Sequence, residues 1–164
     1  MRITARVDYA VRAALELAAA APEALTSERI ATAQGIPARF LQAILRDLQH
    51  ARLISSQRGR EGGYRLALPA EEISIARVMR VEQGFLADVH GQRPEDVDLP
   101  GAAASLGTVW VAARASYRRV LEQVTLADVV SGRLPEHVSE LVQLEDAWRS
   151  FGDDDRSTGD AADR

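Results

Sequence analysis

The chain has no cysteine, no lysine and few aromatic residues. Without cysteine, disulfides and thiolate metal sites are excluded in all 164 residues. Without lysine, the glycine-rich Gly59-x-x-Gly62-Gly63 cannot be a phosphate-binding loop of the Gly-Lys-Ser/Thr type. It also does not follow a strand and open a helix, as a dinucleotide loop does. No apolar run approaches the roughly 20 residues that span a bilayer. Arg2 and Arg6 precede an alanine-rich run much as in a signal peptide, but Arg12 and Glu16 interrupt it. The expectation is a soluble cytoplasmic protein.

All 20 basic residues are arginine, and the net charge is −4. The charge is unevenly spread. Residues 1–80 hold 12 Arg against 8 Asp and Glu, whereas residues 81–164 hold 8 Arg against 16. Such asymmetry suggests a polyanion-binding half. Arginine's planar fork suits phosphate and guanine, although a genomic base composition rich in arginine codons also yields arginine in place of lysine.

Hydrophobic periodicity predicts a helix over 5–20, from Val7, Ala10, Val11, Ala14, Leu17 and Ala18, with Thr4 as its cap. A short helix follows, capped by Thr26 or Ser27 and closed by Gly35. A third starts at Pro37, with Leu41, Ile44, Leu45 and Leu48 as its buried stripe and Arg39, Gln42 and Arg46 opposite. Two helices joined by a short glycine-containing turn make a helix-turn-helix. The second helix of such a pair enters a DNA groove by its N-terminal end, which here offers Ala38, Arg39, Phe40 and Gln42.

Two strands, Leu53–Arg58 and Tyr64–Leu68, flank a glycine-rich turn and read as a hairpin. After a helix-turn-helix, that hairpin is a wing. Glycine allows its backbone to approach another surface, and Arg58, Gly59 and Arg60 would meet phosphates or the minor groove. A helix over 72–84 is capped by Ser74, and a polar loop fills the stretch to Gly107. Thr108 is read as the cap of a long helix with the apolar stripe Trp110, Ala113, Tyr117, Leu121 and Val124. Thr125 caps a short closing helix, a weaker amphipathic segment follows, and the acidic tail reads as disordered.

The domain reading is therefore a winged helix-turn-helix over 1–83, a loop over 84–107, the long helix and a C-terminal helical segment over 108–151, and a tail over 152–164. The fold class is mainly α with one small β-hairpin. His50, His90 and His137 fall on different elements with no ligand spacing, and the acidic runs at 95–98 and 153–155 lack the spacing of a calcium loop. No nucleophile-elbow pattern occurs, so neither an enzyme nor a cofactor is expected.

Three segments carry a family resemblance: "RITARVDYAVRAALELA", the block from Gly35 through Gly84 with Arg-Gly-x-x-Gly-Gly-Tyr after Gln57, and "YRRVLEQVTLADVV". Over residues 1–132 they resemble the Rrf-two family, the bacterial winged-helix regulators typified by IscR, NsrR and CymR. The resemblance implies a homodimeric transcriptional regulator, a repressor, that binds a palindromic operator in double-stranded DNA. By similarity, Ala38, Arg39, Phe40 and Gln42 contact DNA from the recognition helix. Arg58, Gly59 and Arg60 do so from the wing, and the long helix around Trp110 to Leu121 pairs with its twin.

Two departures stand out. Many members hold an iron–sulfur cluster on three cysteines between the wing helix and the dimer helix, and this chain has "HGQRPEDVDLPGAAASLG" there. Position 52 is Arg where the family usually has Gly, a residue suited to left-handed geometry. The signal that controls such a regulator is a small-molecule effector or a partner protein. The alternative function is a winged-helix module whose partner protein controls or replaces DNA binding, for which the acidic second half speaks.

Overall fold

Thr4 opens the first helix, α1 (Ala5–Ala20), and its Oγ1 accepts a hydrogen bond from the Val7 amide at 3.3 Å. The architecture comes from a computed structural model, which describes residues 3–59, 62–84, 86 and 88–149. Helix α1 is the central element of the first of two units, Met1–Arg133. Its buried face is Val7, Ala10, Ala13, Ala14 and Leu17. Three of those five are alanines, so neighbouring helices approach closely.

Helix α2 (Ser27–Gln34) is capped by Thr26, whose hydroxyl accepts from the Arg29 amide. Gly35 closes it in the left-handed conformation, φ 61°. Helix α3 (Ala38–His50) begins one residue later than expected, because Pro37 is the cap and its carbonyl receives the Phe40 and Leu41 amides. Leu41, Ile44, Leu45 and Leu48 are completely buried against the core. At about 1.5–3 kcal/mol for each such side chain, this stripe fixes α3 firmly and turns its polar face outward.

The chain then forms β1 (Ile54–Gln57) and β2 (Gly63–Leu66), antiparallel, with Ile54 opposite Leu66 and Gln57 opposite Gly63. Both strands are shorter than the apolar pattern suggests. The Leu53 amide is taken by the Leu48 carbonyl at the end of α3. A third, single-residue partner has no signal in the sequence. Leu25 bridges Tyr64 through two backbone hydrogen bonds of 2.8 Å, which stitches the hairpin to the segment before α2.

Helix α4 (Ile75–Gln83) has Ser74 as cap. The segment after it holds two one-turn 3-10 helices, Pro94–Asp96 and Gly101–Ala103. Helix α5 (Leu106–Gln123) starts earlier than the expected cap, so Thr108 lies in its first turn. Ser105 precedes the helix without a side-chain cap, so no capping chemistry marks the start. Helix α6 (Leu126–Ser131) has a full capping box, with Thr125 and Asp128 each bonding the other's backbone amide. Leu126 is fully buried, and α6 packs on α1.

The second unit, Leu134–Arg164, carries α7 (Glu136–Val142) and an indole N–H of Trp148 that donates to the Val142 carbonyl at 2.8 Å. The tail expected to be disordered, 152–164, lies outside the described residues. Among the described residues no helix is long and apolar enough to cross a membrane.

Candidate nucleic-acid interface

Helix α3 presents Ala38, Arg39, Phe40 and Gln42 at the surface of its first turn and a half. Burial of the opposite stripe dictates this. Phe40 is 39% exposed. One side of its ring meets Tyr9 at 6.3 Å, and the Arg39 guanidinium lies 4.8 Å from its centroid. Such a contact lowers the number of rotamers open to Arg39 and presents it on a semi-rigid base. Gln42 Nε2 donates to Ser27 Oγ at 2.9 Å, tying the N-terminal ends of the two helices together. The sequence marks Ser27 only as a possible cap, because its pairing with Gln42 depends on how the helices cross.

The turn between α2 and α3 is clamped from below. Arg12 donates through Nε to Gln34 Oε1 at 3.0 Å and also to the Gln34 carbonyl, while Gln34 donates to Glu16 at 2.6 Å. Asp8 holds the same guanidinium at 3.1 Å. These bonds secure the last turn of α2 to α1, so the angle into α3 is set by the core and not by the turn alone.

In the wing, Arg58 and Gly59 are exposed. Arg60 lies outside the described residues. Gly59 has φ 114°, a value side chains rarely adopt. The two glycines that follow have a different reason. A Cβ on Gly62 would sit 2.7 Å from the carbonyl oxygens of Gln57 and Gly59, and one on Gly63 would sit 2.5 Å from the carbonyl oxygen of Leu25. The close surface that Gly62 and Gly63 permit is thus the protein's own backbone. Gln49 Nε2 donates to Ser56 Oγ at 3.1 Å, which links α3 to the wing.

Helix α5 has no buried residue in this chain. Trp110 and Ala113 are exposed, together with Leu106 and Val109, two apolar residues outside the stripe read from the sequence. Tyr117 and Leu121 are half-buried. Val124 departs from the expectation: it is only 6% exposed, and its carbonyl accepts from the Ile75 amide at 2.9 Å. It belongs to the chain's own core, because the chain there turns back to pair Ser74 with Thr125.

Two helices at a glycine turn, a buried stripe behind the second, and an arginine-bearing hairpin define a winged helix-turn-helix protein. The chain belongs to the Rrf2 family, whose sequence profile, described as "Iron-dependent Transcriptional regulator", matches residues 3–132. A Mycobacterium tuberculosis protein whose name places it among HTH-type transcriptional regulators is 51% identical over 151 residues, covering 92% of each chain. The HTH-type transcriptional regulator NsrR of Halalkalibacterium halodurans is 33% identical over 133 residues, 80% of this chain and 91% of that one. Among solved structures, CymR, the global cysteine regulator of B. subtilis, superposes with a TM-score of 0.70 at 25% identity, covering 80% of this chain and 98% of that one. IscR of T. potens, at 24% identity and a TM-score of 0.66 over 93% of this chain and 94% of that one, shares the fold.

Iron in the family's description does not find its donors here. Iron–sulfur clusters are held chiefly by thiolates, and this chain has none. Among the described residues no three His, Asp or Glu side chains gather as metal ligands. His90, in the segment between α4 and α5, is exposed at φ 54°.

Proposed function

We propose that this chain is a homodimeric repressor that binds a palindromic operator in double-stranded DNA, in the bacterial cytoplasm, without an iron–sulfur cluster. It acts by binding and not by catalysis. The observation that carries the reading is the pairing of two exposed features on one core: the first turn of α3, with Arg39 and Gln42, and the wing tip with Arg58. The recognition helix reads base edges, where Gln suits adenine and Arg suits guanine, and the wing grips phosphates. The outward Leu106, Val109, Trp110 and Ala113 supply the dimer contact, which sets two recognition helices about 34 Å apart or a multiple of it.

Titrating salt against duplex binding tests this reading. Arg58→Ala should weaken binding to all sequences and flatten the slope of log K against log salt by about 0.9 for each phosphate that is no longer neutralised. Arg39→Ala or Gln42→Ala should instead relax preference at particular bases, by about 1–3 kcal/mol for each good base pairing removed. An unchanged slope in the Arg58 variant, or no duplex binding at low salt, argues for the protein-interaction reading.

A further inference from the structure

Between α4 and α5 lies a pocket of about 380 Å³, lined by Arg80 and Gly84, by Arg93 and Glu95, and by Arg114 and Arg118. Small-molecule sites usually measure roughly 300–1,000 Å³. The wall is unusual in its charge. Arg114 Nη1 pairs with Glu95 at 2.6 Å. Arg80 and Arg118 both pair with one carboxylate, Glu122, which Arg118 Nε meets at 2.8 Å. Three guanidiniums therefore share two carboxylates, and one positive charge is left over. Arg93 brings a fourth guanidinium, whose charge bears on Glu95.

The two carboxylates are firmly ionised. Hydrogen bonding from Arg114 holds Glu95 below the ordinary glutamate range, and Arg118, then Arg80, do the same to Glu122. Each guanidinium has five N–H donors in a planar fork. The pairs between Arg80, Arg114, Arg118 and their carboxylates engage only one or two on each. Arg114 is the most enclosed, with a side chain 18% exposed. Two like charges around Glu122 and unused donors beside a cavity are what an oxyanion bridges best.

We propose that this pocket binds a compact oxyanion, its charge carried on carboxylates or on a phosphate. Occupancy would neutralise the surplus charge and complete the guanidinium hydrogen bonds. At 100° per residue, Arg114 lies about 40° and Arg118 about 80° around α5 from Trp110, the nearest of the outward apolar residues. The site does not depend on the DNA-binding reading.

Calorimetric titration of the full chain with citrate and, separately, with inorganic phosphate tests the proposal. At least one should bind saturably in the millimolar range or below. Citrate alone identifies a carboxylate ligand class, and phosphate alone a phosphorylated one. Arg118→Gln should weaken binding by about tenfold or more, as loss of a charge-assisted hydrogen bond implies. Glu122→Gln removes a competing carboxylate and should tighten binding, a sign that misfolding cannot produce. Arg58→Gln at the wing should leave binding unchanged. No saturable binding by the wild type, an unaltered affinity in Arg118→Gln, or equal loss in Arg58→Gln would each overturn the proposal.

Discussion

Arg6 of α1 forms an ion pair with Glu82 of α4, whose side chain is only 1% exposed. The same guanidinium also pairs with Asp47 near the end of α3. One cation thus ties α3 to the helix that leads toward α5. The second oxygen of Glu82, Oε1, is buried without a hydrogen-bond partner among the described residues, so Arg6 carries nearly all of the compensation for that carboxylate.

Arg6→Ala should therefore destabilise the fold by about 2 kcal/mol. That is below the range for a fully buried pair, because Arg6 is half-exposed and solvent screens it. Urea denaturation checks this. A loss within about 0.5 kcal/mol, as at an ordinary surface position, would show that the pair carries little.

The two glutamates of α4 and α5 should respond to pH in opposite senses. Burial pushes Glu82 above the ordinary glutamate range, with the hydrogen bond from Arg6 opposing it. The folded state then holds that proton more tightly than the unfolded one. Its stabilising contribution is complete below the unfolded value, about 4.3, and is lost as pH rises through the higher folded value. Glu122 is held low, chiefly by Arg118 and then Arg80. Its contribution is present above about 4.3 and fades as pH falls through its lower folded value. In Tm-versus-pH curves, Glu82→Gln should gain on the wild type as pH rises from about 4.3 through the higher folded value, whereas Glu122→Gln should lose ground at lower pH, as pH rises through the lower folded value toward about 4.3. Parallel curves for both variants would contradict these assignments.

Gly63→Ala should displace the wing. The new methyl meets the Leu25 carbonyl, which is backbone and cannot rotate away. Overpacking of this kind costs about 1–3 kcal/mol. The Leu25–Tyr64 bridge should break, and the amides of Leu25 and Tyr64 should lose hydrogen-exchange protection. Retained protection would mean that the hairpin is not seated on Leu25.

What the sequence made legible was local. Thr4, Ser74 and Thr125 cap their helices because cap chemistry needs only a hydroxyl and an amide two or three residues on. The stripe Leu41, Ile44, Leu45 and Leu48 declared both the buried face of α3 and its exposed one. The start of α5 escaped because Ser105 makes no side-chain cap for Thr108 to be distinguished from. Arg52 was legible as a departure in a place that wants glycine, and it adopts φ 58° there, a left-handed conformation that costs a side-chain-bearing residue about 1–2 kcal/mol. The rest depends on pairings far apart in the chain. Arg80, Arg93, Arg114 and Arg118 sit on α4, the following loop and α5, and nothing in their spacing announces a shared wall. The glycines at 62 and 63 were visible, but the carbonyl of Leu25 that excludes a side chain was not.

The most direct test of the regulator reading is selection of fragmented genomic DNA by the purified, metal-free full chain, followed by sequencing. A single inverted repeat should be enriched, with half-site centres one helical turn, about 10 base pairs, or a multiple apart. A folded, dimeric protein that enriches no sequence would contradict it.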